Sequence, residues 1–175
     1  MKFFTRELYI QFNSLNLVRA DEANELWERA IDKYQQHLRR IRKELPHGAR
    51  VLSTLCLHDA ELIHPKSTPT LSAEFAIVTV GLRQGENKWK VYLLVYSLSD
   101  EFRSLPPSST RKPFSKRQVH WLYDELDVSE GRKGRFVHRV LLSDGRIMVV
   151  PFTNVSIQTM TMHAASLAGM ALKSA

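Results

Sequence analysis

The sequence predicts an α+β fold in which N-terminal helices pack on an antiparallel sheet of about five or six strands. Three observations carry that expectation. Apolar residues recur at helical spacing through the first quarter of the chain, short runs rich in β-branched and aromatic residues begin at Val51, and Asp144-Gly145 stands between two such runs. The chain has 175 residues, 43% of them hydrophobic and 25% charged, which suits one domain that buries its core without disulfides or structural metal. Residues 1–48 form the expected helical part, 50–158 the sheet, and 159–175 a tail or helix.

Thr5 can cap a short helix through Asn13, with Phe4 and Tyr9 as its hydrophobic staple. From Ala20 to Leu45 the residues Trp27, Ile31, Tyr34, Leu38, Ile41 and Leu45 alternate steps of four and three, which places them on one helical stripe. Asp21, Glu22, Glu25 and Glu28 at its start and Arg39, Arg40, Arg42 and Lys43 at its end match the helix dipole. Pro46-His47-Gly48 then ends it.

Strand composition follows in VLSTLCLHDAELI, SAEFAIVTVGLR and KWKVYLLVYSL, the last two joined as a hairpin by Gln84-Gly85-Glu86-Asn87. Ser99 to Arg117, with Pro106, Pro107 and Pro113, reads as a long mobile surface loop. The segment SKRQVHWLYDELDV is ambiguous: Ser115 with Gln118 resembles a capping box, whereas VHWLY has strand composition. The strand reading is preferred because FVHRVLL and RIMVVPF follow across Ser143-Asp144-Gly145, a strong hairpin signal, and three strands in meander order complete a sheet. From Thr161 to Leu172, small residues such as Ala164, Ala168 and Ala171 share a helical face, suited to docking on the domain or on a second copy; a frayed terminus is the alternative.

Arg6 and Glu7 interrupt the apolar opening, so no signal-peptide core is drawn there, and no run reaches the length of a membrane span. The single cysteine, Cys56, is expected to be a small buried thiol, and a reducing cytoplasm is the simplest compartment. A net charge of +7 brings nucleic acid, an anionic membrane surface or an acidic protein partner into consideration.

His58, Asp59 and Glu61, with His64 beyond, come nearest to a site. On a strand, Cys56, His58, Leu62 and His64 would share one face, and Asp59 and Glu61 the other, so the polar groups would not converge as a zinc or hydrolytic centre requires. The plainer reading is a hydrogen-bonded His58–Asp59 pair at a strand end; a binding role is the alternative. His120 and Asp124 could approach His138 on the next strand, a histidine-carboxylate grouping used for proton transfer or metal binding. A polar pair on the solvent side of the sheet accounts for the same residues.

Basic residues gather in two presumed loops, Arg103, Arg111, Lys112, Lys116 and Arg117 in one and Arg132, Lys133 and Arg135 in the other. With Phe114 and Trp121 nearby, they could form a patch for single-stranded nucleic acid. G-x-G-x-x-G, the Walker-type phosphate loop, G-x-S-x-G, H-E-x-x-H and C-x-x-C are all missing, which argues against the common nucleotide-binding, hydrolase and metalloprotease classes. No cofactor or metal is expected.

Met1-Lys2-Phe3-Phe4-Thr5-Arg6-Glu7-Leu8-Tyr9, the step Leu57-His58-Asp59-Ala60 and the closing Phe136 to Gly145 resemble an uncharacterised bacterial domain-of-unknown-function family. The resemblance implies a small bacterial cytoplasmic protein and transfers no catalytic residue. The expectation is a non-enzymatic binding or interaction domain contacting an acidic protein partner or a second copy; nucleic-acid binding and a histidine-based enzyme or metal site are the alternatives.

Overall fold

A computed structural model of the chain describes residues 1–63, 70–72, 74–107, 118–129, 131 and 134–166. Helix α1 spans Arg6–Phe12, and the Thr5 hydroxyl caps it by accepting from the Leu8 N–H at 3.2 Å. Asn16 caps α2, Leu17–Ile41, through the Arg19 N–H. Trp27, Tyr34 and Ile41 are its buried stripe, with Ile31 and Leu38 partly buried beside them. The helix thus begins and ends a few residues before the expected Ala20 to Leu45.

Pro46 does more than stop α2. Its φ of −62° starts a further short helix, α3, His47–Leu52. This corrects the strand expected from Val51: Ala49 and Leu52 are buried at a helical step of three, while Val51 between them is exposed. β-branched composition misled there because α3 is placed by its packing on the sheet. An ideal Cβ on Gly48 would lie 1.6 Å from the Val155 carbonyl oxygen, so only glycine admits that approach. Residues 53–60 are turns, which also leaves Cys56 exposed where a buried thiol was expected.

The strands are β1 (Glu61–Leu62), β2 (Thr70–Leu71), β3 (Phe75–Arg83), β4 (Lys88–Leu98), β5 (Arg103–Leu105), β6 (Trp121–Val128), β7 (Phe136–Leu142) and β8 (Ile147–His163). All pairs are antiparallel, in the order β1-β3-β4-β8-β7-β6, with β2 added to β3 and β5 to β8. The α+β class holds, with a sheet enlarged beyond expectation by the two short strands. The hairpins across Gly85 and Asp144-Gly145 form, both glycines having positive φ. The segment 121–128 is a strand, as preferred. Part of the expected surface loop is β5, and its residues 108–117 lie outside the described residues. β8 passes the expected limit at 158 because β4 is long enough to pair with it as far as Lys88↔His163. Of the tail, 164–166 begins a helical turn, and the rest lies outside the described residues.

The two ends of the strand path meet. The Asp59 N–H donates to the Trp121 carbonyl (2.8 Å), the Trp121 N–H to the Ala60 carbonyl (2.8 Å) and the Leu62 N–H to the Val119 carbonyl (2.9 Å). The sheet therefore closes into a six-stranded barrel, and edge pairing is satisfied at that end. Its interior holds Leu94, Tyr96, Trp121, Leu126, Val140 and Phe152, together with Leu52 of α3. α1, α2 and residues 1–5 cover the outside around β6, where Phe4, Trp27 and Tyr34 pack near Tyr123. Among the described residues no helix is long and apolar enough to cross a membrane.

Candidate functional site

β6 places charge on both sides of the barrel wall. Strand alternation directs Asp124 and Leu126 inward and Tyr123, Glu125 and Asp127 outward. On the outside, Glu125 is only 1% exposed and its carboxylate accepts the N–H groups of Lys2, Phe3 and Phe4, each at 2.7 Å. Asp127 meets Lys2 Nζ at 2.7 Å, His37 Nε2 at 3.1 Å and Arg139 at 3.4 Å. Burial works to raise the Asp127 pKa, but the Lys2 hydrogen bond and charge, with His37 and Arg139, outweigh it and hold the carboxyl below its usual range.

Inside the wall, Asp124 ends a buried chain of polar groups. Its Oδ1 accepts Trp121 Nε1–H at 3.0 Å and its Oδ2 lies 3.1 Å from His138 Nε2. Tyr96 Oη is 2.8 Å from His138 Nδ1. A carboxylate accepts only, so His138 donates from Nε2, while its Nδ1 and the Tyr96 hydroxyl share the second hydrogen bond. Burial first, and the Asp124 charge second, push the Tyr96 pKa well above its usual value and keep the hydroxyl neutral. Tyr96 and His138 are both 0% exposed, whereas the Asp124 side chain is 24% exposed. The chain of groups opens to solvent at its carboxylate end alone.

That opening lies along a seam. The odd-numbered residues 123, 125 and 127 of β6 hydrogen-bond β7, so the backbone groups of Leu122, Asp124 and Leu126 point away from it. The Leu122 carbonyl meets His58 Nδ1 at 2.6 Å and the Leu126 N–H donates to Tyr34 Oη at 2.8 Å. Between them, no described residue bonds the Asp124 N–H or carbonyl. A cleft of about 250 Å³ runs along this stretch, walled by Phe4, Tyr34, Tyr123, Leu38 and Leu57, with His58 and Asp124 among its polar lining. Burial, then the Asp124 charge, also raises the Tyr34 pKa, so Tyr34 stays a neutral wall.

The expected site residues are dispersed. His58 sits at the cleft, with Nε2 3.5 Å from an Asp59 carboxylate oxygen, so this pair forms, but in a turn where Asp59 has φ +62°. The expected shared face with Cys56, Leu62 and His64 does not arise, because 53–60 is not a strand; His64 lies outside the described residues. Asp124 and His138 do come together. His120 does not join them: its Nδ1 lies 3.3 Å from the Asp59 carbonyl at the barrel closure. The solvent-side reading of His138 is overturned, because closing the barrel turns that face into the interior. Arg111, Lys112, Lys116, Arg117, Arg132 and Lys133 lie outside the described residues; Arg103 is exposed on β5, and Arg135 donates to the Ser99 carbonyl at 3.3 Å.

Sequence reasoning missed Tyr96, Trp121 as an Asp124 partner, and the anchoring carboxylates Glu125 and Asp127. A signal was present: in WLYDELDV three carboxylates interrupt an otherwise apolar strand, and strand alternation cannot send all three to one solvent face. Among the described residues no group of three or more His, Cys, Asp or Glu side chains is placed to hold a metal ion. No family model, curated protein or solved structure matches the chain, so function is argued from the geometry of the cleft.

Proposed function

We propose that the protein is a non-enzymatic binding domain whose seam cleft takes a primary amine or guanidinium group carried on an apolar body. One observation carries this reading: Asp124 is a largely buried carboxylate that accepts from Trp121 and lies beside His138, and no Lys or Arg among the described residues pairs with it. A buried anion left without a cation is costly, and a cationic ligand supplies the missing charge. The aromatic and aliphatic lining, Phe4, Tyr34, Leu38, Leu57 and Tyr123, favours an apolar body beside the charge. The Asp124 carbonyl adds a second acceptor. Catalysis is not part of this reading, because Tyr96 and His138 are sealed inside the barrel and Cys56 and His58, which both line the cleft, share no hydrogen bond: His58 Nδ1 is held by the Leu122 carbonyl.

Titration calorimetry with hexylamine, hexanol and hexanoate at equal concentration tests it. Hexylamine is expected to bind and the other two to bind at least about tenfold more weakly, since only the amine forms a charge-assisted hydrogen bond. Asp124→Asn should remove that preference while leaving the circular-dichroism spectrum unchanged. Equal binding of amine and alcohol, or an amine preference that persists in Asp124→Asn, would refute the assignment.

A further inference from the structure

The distal half of β8 leaves the barrel with one neighbour. From Asn154 to His163 it pairs with β4, and no other described strand lies beside it. Its direction is fixed at both ends. The Val155 carbonyl points at Gly48 of α3, and the Ala164 N–H donates to Asn87 across β4's side. By alternation, residues 154, 156, 158, 160 and 162 bond β4, and the N–H and C=O groups of Ile157, Thr159, Thr161 and His163 point outward. Among the described residues that is an open row of backbone donors and acceptors.

Natural edges are usually protected by lysine, proline, a bulge or a covering element. Ser156 to His163, SIQTMTMH, has no lysine, proline or acid and no register shift, and Gln158, Thr159, Met160 and Thr161 are exposed on both faces of the strand. The charge around this row is one-sided. Arg50 lies on α3, which meets the strand through Gly48 at Val155, and Lys88 and Lys90 sit opposite His163 and Thr161 at its end, where Arg83 also lies over Trp89. Within α3, the β3–β4 turn and these strand ends, Glu86 is the single acid.

We propose that the outer edge of β8 from Ile157 to His163 accepts an extended acidic peptide segment of a partner protein as an added strand. Main-chain pairing supplies the attachment, and the flanking cations select acidic side chains. A second copy of this chain fits the same backbone row but meets it with like charge: two-fold antiparallel pairing brings the partner's Lys88 and Lys90 to the end of the row where α3 carries Arg50.

Amide hydrogen exchange and fluorescence anisotropy test the proposal on the full chain, with an octapeptide alternating valine and glutamate as probe. In the free protein the Thr159 and Thr161 amides should exchange rapidly, and saturating peptide should slow them. The lysine counterpart of the peptide should bind at least about tenfold more weakly, because its charges face the same cations. Thr159→Pro removes one outward N–H without touching the β4 ladder, so it should weaken the acidic peptide about tenfold with the melting temperature unchanged. Slow exchange at Thr159 and Thr161 in the free protein would mean that the edge is already filled by a second copy or by residues 167–175, and would overturn the proposal. So would absence of acidic-peptide binding, or equal binding of the two peptides; these readings do not depend on the variant folding.

Discussion

Asp127 and Asp124 stand three positions apart on β6, and that odd step sends them to opposite sides of the barrel wall. Asp127 is surrounded by Lys2, His37 and Arg139, and its negative charge is matched where it lies. Asp124 receives hydrogen bonds from Trp121 and His138, and no Lys or Arg among the described residues pairs with it. Burial alone does not separate a structural carboxylate from a binding one, since Asp127 is the more buried of the two. The distinction is whether the folded chain supplies the counter-charge itself. On the outer side it does so with Lys2, a residue that Glu125 holds in place through its backbone N–H.

The comparison breaks most severely at Glu125. Glu125→Leu leaves the Lys2, Phe3 and Phe4 N–H groups without their acceptor, and it frees the segment that carries Lys2 to Asp127 and Phe4 to Trp27 and Tyr34. The expected loss in urea unfolding is about 4 kcal/mol, because each hydrogen bond to a charged group contributes more than a neutral one. A loss below about 1 kcal/mol would show that the N-terminal segment is held by its apolar packing alone.

Asp127→Asn comes next, with an expected loss of about 2 kcal/mol at pH 7 as Lys2, His37 and Arg139 lose their shared anion. The effect carries a pH signature. The folded Asp127 carboxyl ionises below its usual value of 3.8, so its stabilisation is complete above that pH and is lost as pH falls through the lower folded pKa. Urea midpoints measured from pH 7 to pH 2 should therefore converge for wild type and Asp127→Asn at the acid end. Parallel curves over the whole range would place the stabilisation elsewhere.

The outer half of this comparison and the inner half were unequally legible in sequence. Helix α2 and the hairpins across Gly85 and Asp144-Gly145 follow from local periodicity and turn chemistry, which need no tertiary information. The meeting of Asp124 with His138 was one of two readings left open by strand alternation, and register decided it. The closure of β6 onto residues 59–62 was not legible: it joins segments far apart in the chain through backbone groups that any sequence carries. That closure converts the supposed solvent face of His138 into an interior. α3 was missed for a related reason, since the close approach of Gly48 to Val155 places it where composition suggests a strand.

The smallest expected effect lies at the sealed end of the Asp124 chain of groups. Tyr96→Phe removes the hydroxyl that hydrogen-bonds His138 Nδ1 and leaves the ring's packing against Phe152 intact. The expected cost is about 1 kcal/mol, that of one neutral buried hydrogen bond with its partner left unsatisfied. The informative readout is the nitrogen NMR of His138. If Asp124 fixes the Nε2–H tautomer, Nδ1 in Tyr96→Phe should remain an unprotonated ring nitrogen and shift only by loss of its donor, and hexylamine affinity should stay within about twofold, because the cleft touches Asp124 and not Tyr96. A tautomer that switches to Nδ1–H would mean that Tyr96 and not Asp124 orients the imidazole. The unmatched carboxylate would then lose one of its two donors whenever the barrel interior changed, and amine affinity would fall with it.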